Sequence, residues 1–370
     1  MPTPSPDWHP VTVFLDSAVA AGAAPGAVLA VLYPGGRFVH GTGQMGADDP
    51  APTSDSTVYD LASLTKVVGL TTALMFAVQE NRVELDAQVQ RYVPAFAGAG
   101  KDRVTVRMLL AHASGLPAWR PLFRQTSDRA AAFALVDSTP LEVPPGTREK
   151  YSDLGAIVLT QLLESVFQER LDTLLERRLF QPLGMASTRF LPPPEWRPRI
   201  APTEMQPWRG HVLRGEVHDE NAAIMDGVSG HAGLFSSADD LLTFAEWLLD
   251  QAGGPGTRAA GAGGGQTVIQ TNARTQEGIA GERPSDRPTI RPSVLAEFTR
   301  RQNLVPGSTR ALGWDTPDPE SSSGQFLSPS SFGHTGFTGT SLWLDPQHRL
   351  AIVLLSNRVN PTRDNPRWAP

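Results

Sequence analysis

Two residues that could act together in nucleophilic catalysis, Ser63 and Lys66, stand three positions apart at the start of a mostly apolar segment. On a helix this spacing places both side chains on one face. A desolvated lysine can accept the proton of a serine hydroxyl and make it a nucleophile. Only Lys66, Lys101 and Lys150 are lysines among the 32 cationic side chains. The pattern predicts acyl transfer at Ser63, although an N-capping serine beside an exposed lysine would look the same.

Tyr151 and His334 are two further candidates. Tyr151 follows a Pro-Pro-Gly-Thr turn and precedes an apolar segment that predicts a helix. His334 opens the sequence His-Thr-Gly just before a predicted strand pair, where a glycine lets the backbone approach another group closely. Taken alone, each residue is more often structural than functional: Tyr151 as a packed tyrosine with a satisfied hydroxyl, and His334 as a structural histidine.

In combination, the motifs S-x-x-K, Y-x-D and H-T-G resemble those of the serine β-lactamase and penicillin-binding-protein superfamily. The similarity is greatest to the branch that holds class C β-lactamases, D-amino-acid peptidases and family VIII carboxylesterases. That branch shows S-x-x-K, then Y-x-N, then K-T-G or H-x-G on a strand. Further similar blocks extend from about Pro25 to Asn357, apart from residues 252–290; they are 60–66, 109–117, 230–236, 333–340 and 345–346.

The resemblance implies a mechanism. Ser63 would attack a carbonyl and form an acyl-enzyme, which water then hydrolyses. Lys66 and Tyr151 would share the general-base work as a coupled pair, and the sequence leaves open which of them is the base. The oxyanion hole would consist of the backbone N–H groups of Ser63 and Phe337.

Asp153 departs from the family pattern because it stands where the family has asparagine. An anionic Asp153 near Lys66 would hold that amine protonated, which would leave Tyr151 as the base. The same change supports an alternative function. The chain could be a catalytically weak or inactive penicillin-binding-type module that binds cell-wall peptide, a β-lactam or a protein partner.

The segment of His334, Thr335 and Gly336 is a second departure, since histidine replaces the lysine of K-T-G. The resemblance implies that these residues position the substrate from the strand edge. A permanent cation there suits a substrate carboxylate, as in penicillins, whereas an imidazole that is mostly neutral at pH 7 suits it less. The substrate is therefore expected to be a small ester, amide or lactam, with esterase or D-peptidase activity favoured over β-lactamase activity.

Composition narrows the remaining possibilities. The chain has 370 residues, 40% hydrophobic and 19% charged, which is typical of a globular protein with ample core. A net charge of −6 argues against nucleic-acid binding. Without cysteine there are no disulfides or zinc–cysteine sites, and the histidines lack metal-ligand spacing, so no metal or cofactor is expected.

No apolar run reaches the ~18 residues of a membrane-spanning helix. With no visible signal peptide, a cytoplasmic protein is expected.

The elements that must position these residues follow from apolar patterning. The predicted fold class is α/β (α+β) and β-lactamase-like: an antiparallel sheet from the N- and C-terminal segments, flanked by helices, with an inserted mainly helical domain and the cleft between. Strands are predicted at 26–33, 37–42, 340–344 and 350–356, and helices at 62–80, 104–112, 128–137, 154–177 and 241–249. The predicted domains are 1–60 with 291–370, 61–251, and a flexible insertion or linker at 252–290.

Other chemistry-bearing residues are interpreted as structural. His112 and Ser114 lie in a turn-like segment, and His231 lies in a tight glycine-flanked loop. The tryptophans could line a pocket but are expected in the core or scaffold; they are Trp119, Trp208, Trp314 and Trp343.

Overall fold

The computed structural model describes residues 6–253, 287–319 and 321–367. The predicted insertion at 252–290 lies almost wholly outside the described residues. None of the helices within the described ranges is long and apolar enough to cross a membrane.

The strands in chain order are β1 (Gly26–Tyr33), β2 (Gly36–Gly46), β3 (Asp49–Pro52), β4 (Val58–Asp60), β5 (Arg189–Phe190), β6 (Met205–Gln206), β7 (His211–Val212), β8 (Leu234–Ser237), β9 (Phe332–Gly336), β10 (Thr340–Asp345) and β11 (Leu350–Ser356). Across the described ranges the main sheet has six strands in the order β3-β2-β1-β11-β10-β9. All its neighbours pair antiparallel, and β1 pairs β11 with Ala27 opposite Ser356. The two ends of the chain therefore form one sheet, as predicted.

The α-helices are α1 (His9–Ala20), α2 (Thr72–Gln79), α3 (Val106–Leu110), α4 (Arg129–Asp137), α5 (Asp153–Phe167), α6 (Leu171–Leu175), α7 (Gln181–Leu183), α8 (Glu220–Ile224), α9 (Ala238–Ala252) and α10 (Pro292–Thr299). Two π-helical turns, Lys66–Thr71 and Glu176–Phe180, precede α2 and α7. Short 3-10 turns lie at Val89–Arg91, Lys101–Arg103, Leu122–Arg124 and Pro194–Arg199.

The predicted helix at 154–177 is wrong as a single element. It ends at Phe167, and Gln168 adopts a left-handed conformation with φ 52°. A separate helix, α6, begins at Leu171. The apolar spacing is the same on both sides of the break, so it carries no signal of the change in direction.

Burial explains how the layers are arranged. Strand β1 is buried along nearly its whole length, so both faces of the sheet centre are covered. Helix α9 packs on β1 and β11, and α1 packs on β2. Helix α5 contacts α2, α3 and α4 to form the helical layer. One hydrophobic cluster extends from sheet residues such as Val28 to helical residues such as Ile157. The division into separate domains remains a proposal.

Candidate active site

A sharp turn presents Ser63 at the end of β4. The Ala62 N–H donates to the buried Asp60 carboxylate over 2.8 Å, and Ala62 has a left-handed φ of 47°. That conformation is unfavourable for alanine and persists only where the surroundings enforce it. The helical segment that contains Lys66 begins directly after Ser63. The turn therefore places the serine at the N-terminal end of a buried helix.

Lys66 is 2% exposed, so the exposed-lysine interpretation is excluded. Its Nζ atom lies 2.9 Å from Ser63 Oγ and 3.0 Å from the backbone oxygen of His231, and it forms a 2.7 Å ion pair with Asp153 Oδ1. Burial opposes the charge, but the Asp153 carboxylate and the Tyr151 side chain outweigh burial and raise the pKa of Lys66 to about 12. Lys66 is therefore an ammonium at neutral pH, surrounded by three oxygen atoms.

Tyr151 lies against the same amine, with its ring centroid 4.9 Å from Lys66 Nζ. Its hydroxyl is buried beside Ser63 and Lys66 but makes no well-aligned hydrogen bond within the described chain. Burial raises the pKa of Tyr151, against the opposing effect of the Lys66 charge. The resting side chain is a neutral phenol with a free hydroxyl facing Ser63.

The start of α5 fixes Tyr151 and Asp153. Ser152 caps the helix by accepting from Gly155 N–H, and its hydroxyl donates to the Pro117 carbonyl over 2.6 Å. The Ser152 N–H donates to His112 Nδ1 over 3.1 Å, and the His112 ring lies 4.6 Å from that of Tyr151. His112, interpreted from sequence as structural, thus supports a candidate catalytic residue directly.

His334 projects from β9 toward Tyr151, with ring centroids 5.7 Å apart. Its Nδ1 lies 2.6 Å from the Thr335 carbonyl and must donate there, which leaves Nε2 as a buried acceptor with no partner in the described chain. Burial, together with the charges of Arg310 and Lys66, lowers the pKa of His334 to about 3. His334 is a neutral hydrogen-bond acceptor, not a cation.

The edge formed by Thr335, Gly336 and Phe337 runs past the Ser63 turn. Thr335 is exposed and Phe337 is 49% exposed. A Cβ atom at Gly336 would overlap the Leu61 carbonyl and the Thr340 hydroxyl. Only glycine allows the strand edge to come this close to the turn.

Two hydroxyls join the β9–β10 connection to the Ser63 turn. Thr338 donates to the Asp60 carbonyl over 2.7 Å, and Thr340 donates to the Leu61 carbonyl over 2.9 Å. Neither the Ser63 N–H nor the Phe337 N–H has an acceptor among the residues that the structure describes. Two free donors on adjoining segments are what a developing oxyanion requires.

Sequence reasoning missed His231, whose contribution is a backbone carbonyl, an atom that any residue type carries. The tryptophans divide into two pairs. Trp314 and Trp343 are buried as expected, but Trp119 and Trp208 are 43% and 46% exposed and are not in the core. Within the described ranges, no group of three or more His, Asp or Glu side chains could hold a metal ion.

The chain belongs to the Beta-lactamase family, whose family model matches residues 14–370. A relative from Salmonella typhi, named "Putative D-alanyl-D-alanine carboxypeptidase", is 31% identical over 353 residues, covering 87% of this chain and 74% of the relative. Membership of this family indicates activity of the serine hydrolase type.

Solved structures confirm the predicted fold. A penicillin-binding-protein homologue from Caulobacter crescentus superposes with a TM-score of 0.72 at 20% identity, covering 99% of this chain and 96% of the other. A class C β-lactamase superposes with a TM-score of 0.71 at 17% identity, covering 95% and 90%. At these identities the likeness concerns the fold alone.

Proposed function

We propose that this chain is a serine hydrolase that cleaves an ester or amide through a covalent acyl-serine intermediate. The observation that carries the proposal is the 2.9 Å contact of Lys66 Nζ with Ser63 Oγ in a buried site. The free Tyr151 hydroxyl beside it and the two unpaired backbone N–H groups support the proposal further.

The proton path follows from the charges at rest. Because Lys66 is held as an ammonium, it cannot accept the Ser63 proton unless it first gives one up. Tyr151 can accept the Ser63 proton while its own proton passes to the leaving oxygen or nitrogen, as the Ser63 Oγ–carbon bond forms and the leaving-group bond breaks. Water then attacks the acyl carbon, the Ser63 Oγ–carbon bond breaks, and a water proton passes through Tyr151 to Ser63 Oγ as the carboxylic acid is released. The Lys66 charge stabilises the negative charge that develops on Tyr151 and Ser63.

The substrate class follows from His334. An unpaired Nε2 acceptor can bind an N–H or O–H group, whereas its lone pair would repel a carboxylate. A neutral ester or amide therefore suits this edge better than a penicillin.

The first test compares a short p-nitrophenyl ester, a D-alanyl-D-alanine peptide and a chromogenic cephalosporin. We expect kcat/KM to be highest for the ester. His334→Lys, which restores a cation at this edge, should raise kcat/KM for the cephalosporin relative to the ester by about tenfold, the value of one charge-assisted hydrogen bond. A much higher kcat/KM for the cephalosporin with the unmodified protein would contradict the assignment.

The second test is covalent labelling with a fluorophosphonate and with a fluorescent penicillin, read by intact mass. One label per chain is expected, lost in Ser63→Ala and kept in Ser165→Ala, which alters an exposed serine on α5. Absence of label from every probe would favour the alternative of a non-catalytic penicillin-binding-type module.

A further inference from the structure

A second set of serine, histidine and aspartate side chains lies next to Lys66, on the side of the His231 backbone. Ser229 Oγ is 2.7 Å from His231 Nδ1, and His231 Nε2 is 2.8 Å from Asp219 Oδ1. His231 is 1% exposed. Because an ionised carboxylate only accepts, Nε2 must donate to Asp219, and the ring can accept the Ser229 hydroxyl at Nδ1. Both ring nitrogens are thus engaged.

This set is not a second nucleophilic site. Ser229 is completely buried, so no carbonyl substrate can reach its hydroxyl. The atom that His231 directs toward the reaction is its backbone oxygen, which accepts from Lys66 Nζ over 3.0 Å. The His231 side chain fixes the position of the residue, and the His231 backbone carbonyl contacts the Lys66 amine.

The loop that carries His231 is held on several sides. Gly230 N–H donates to the Thr160 hydroxyl over 2.8 Å, and a Cβ atom at Gly230 would come within 2.6 Å of Thr160 Oγ1 and Leu70. Asp219 also accepts the Ala222 N–H over 2.7 Å and so caps α8. The imidazole therefore connects the loop to a second fixed element.

We propose that Asp219, His231 and Ser229 form a positioning relay, which keeps the His231 carbonyl on the Lys66 amine and thereby orients Lys66 and favours its charged form. The relay serves the hydrolase proposed above and rests on that function. Its members act through Lys66 and are positioning residues.

The electrostatic surroundings of Lys66 come from several elements. A hydrogen bond to an ammonium favours the charged form, so loss of the His231 carbonyl lowers the pKa of Lys66. The other titratable and charged groups that face Lys66 or the relay are Tyr151 and Asp153 at the start of α5, His112 after α3, His334 on β9, and Asp60, Arg209 and His218 near Asp219. A test must therefore change the relay without changing these groups.

Two substitutions of His231 distinguish the effect of its Nδ1 contact with Ser229 from the effect of its Nε2 contact with Asp219. Asparagine at position 231 can replace Nδ1 but not reach Asp219, whereas glutamine can place an N–H near the position of Nε2. His231→Asn should therefore release the loop from Asp219, and His231→Gln should retain that contact. His211→Asn is the matched control, because His211 pairs with Glu216 over 2.8 Å at an exposed position.

The measurement is the titration of Lys66 itself. With 13Cε-labelled lysine the chain gives only three side-chain signals, and Lys66→Arg assigns the relevant one. We expect the Lys66 midpoint to fall by about one pH unit or more in His231→Asn, the value of a hydrogen bond to a charged group. It should fall by less in His231→Gln and not at all in His211→Asn.

An unchanged Lys66 midpoint in folded His231→Asn overturns the relay. If that variant does not fold, Ser229→Ala carries the test, with a fall expected and an unchanged midpoint contradicting the proposal. Fluorophosphonate labelling of the unmodified protein is run alongside. A shifted midpoint without any label would retain the relay and refute the hydrolase, so the two failures are distinguishable.

Discussion

Asp153 and Lys66 place opposite charges 2.7 Å apart in a site where both side chains are largely shielded from water. Aspartate at position 153 changes which proton transfers are available to Ser63 and Lys66. With asparagine at position 153 the amine would lose its nearest anion, and its neutral form would become easier to reach. With aspartate the ammonium is the resting form, and we propose that the proton moves through the Tyr151 phenol.

Asp153→Asn tests this argument. We expect the alkaline limb of the kcat/KM profile to move to lower pH by at least about one unit, because Lys66 loses the anion that raises its pKa. The profile should be measured with a p-nitrophenyl ester and compared with that of Glu195→Gln, an exposed control. An identical profile in Asp153→Asn would show that the ion pair does not set the protonation of Lys66.

Among the elements, the β9–β10 connection sets how the two halves of the site meet. Gly336 lets β9 approach the Leu61 carbonyl, and the Thr338 and Thr340 hydroxyls hold the connection to the turn before Ser63. The alignment of the two free N–H groups depends on this close approach, which the sheet hydrogen bonds alone do not enforce.

Gly336→Ala should therefore reduce catalysis more than stability. The added methyl must push β9 away from Leu61 and widen the spacing of the two N–H donors. Loss of one oxyanion donor costs about 10²–10³ in kcat, and we expect a decrease of that order with a much smaller change in melting temperature. Gly324→Ala adds a methyl group in open space but at a left-handed φ, which Gly336 does not have; its loss of stability is therefore an upper bound on the backbone cost of the change. The expectation would be contradicted if the loss in free energy of unfolding were as large as the rise in activation free energy calculated from kcat.

The strands and the helical spacing of the site could be predicted from sequence, whereas the helix break and the tertiary contacts of the site could not. The buried strand β1 and the strand β11 follow from continuous apolar runs, and the pairing of Ser63 with Lys66 follows from helical spacing. The break at Gln168 has no local signal, because glutamine and its neighbours are good helix formers. The arrival of Tyr151 beside Lys66 and of His231 behind it depends on tertiary packing. For His231 the functional atom belongs to the backbone, so its residue type gave no indication.

At the scale of the whole molecule, a buried carboxylate connects distant segments. Glu204 lies 2.8 Å from His218 and also pairs with Arg363 near the C-terminal end of the described chain. Burial opposes ionisation of Glu204, but the hydrogen bonds from His218 and Arg363 outweigh it and lower its pKa to about 2. The folded chain is thus stabilised by an anion that the unfolded chain would protonate at a higher pH.

This linkage predicts how stability depends on pH. The contribution of Glu204 is present above its ordinary pKa of 4.5 and is lost as pH falls toward about 2, which amounts to roughly 3 kcal/mol. Glu204→Gln should be destabilised at pH 7, and its free energy of unfolding should change less between pH 5 and pH 3. Chemical denaturation across that range measures the effect. Parallel curves for the unmodified and Glu204→Gln proteins would contradict it.

The link from Thr338 and Thr340 to the turn before Ser63 has a consequence for biosynthesis. Ser63, Lys66 and Tyr151 are all translated by residue 151, yet Phe337, the proposed second oxyanion donor, follows almost 190 residues later. A nascent chain on the ribosome would hold an exposed serine without the strand that completes the site. Hydrolytic activity should therefore begin only after β9 and β10 have left the exit tunnel and docked, which protects the half-made enzyme from premature acylation.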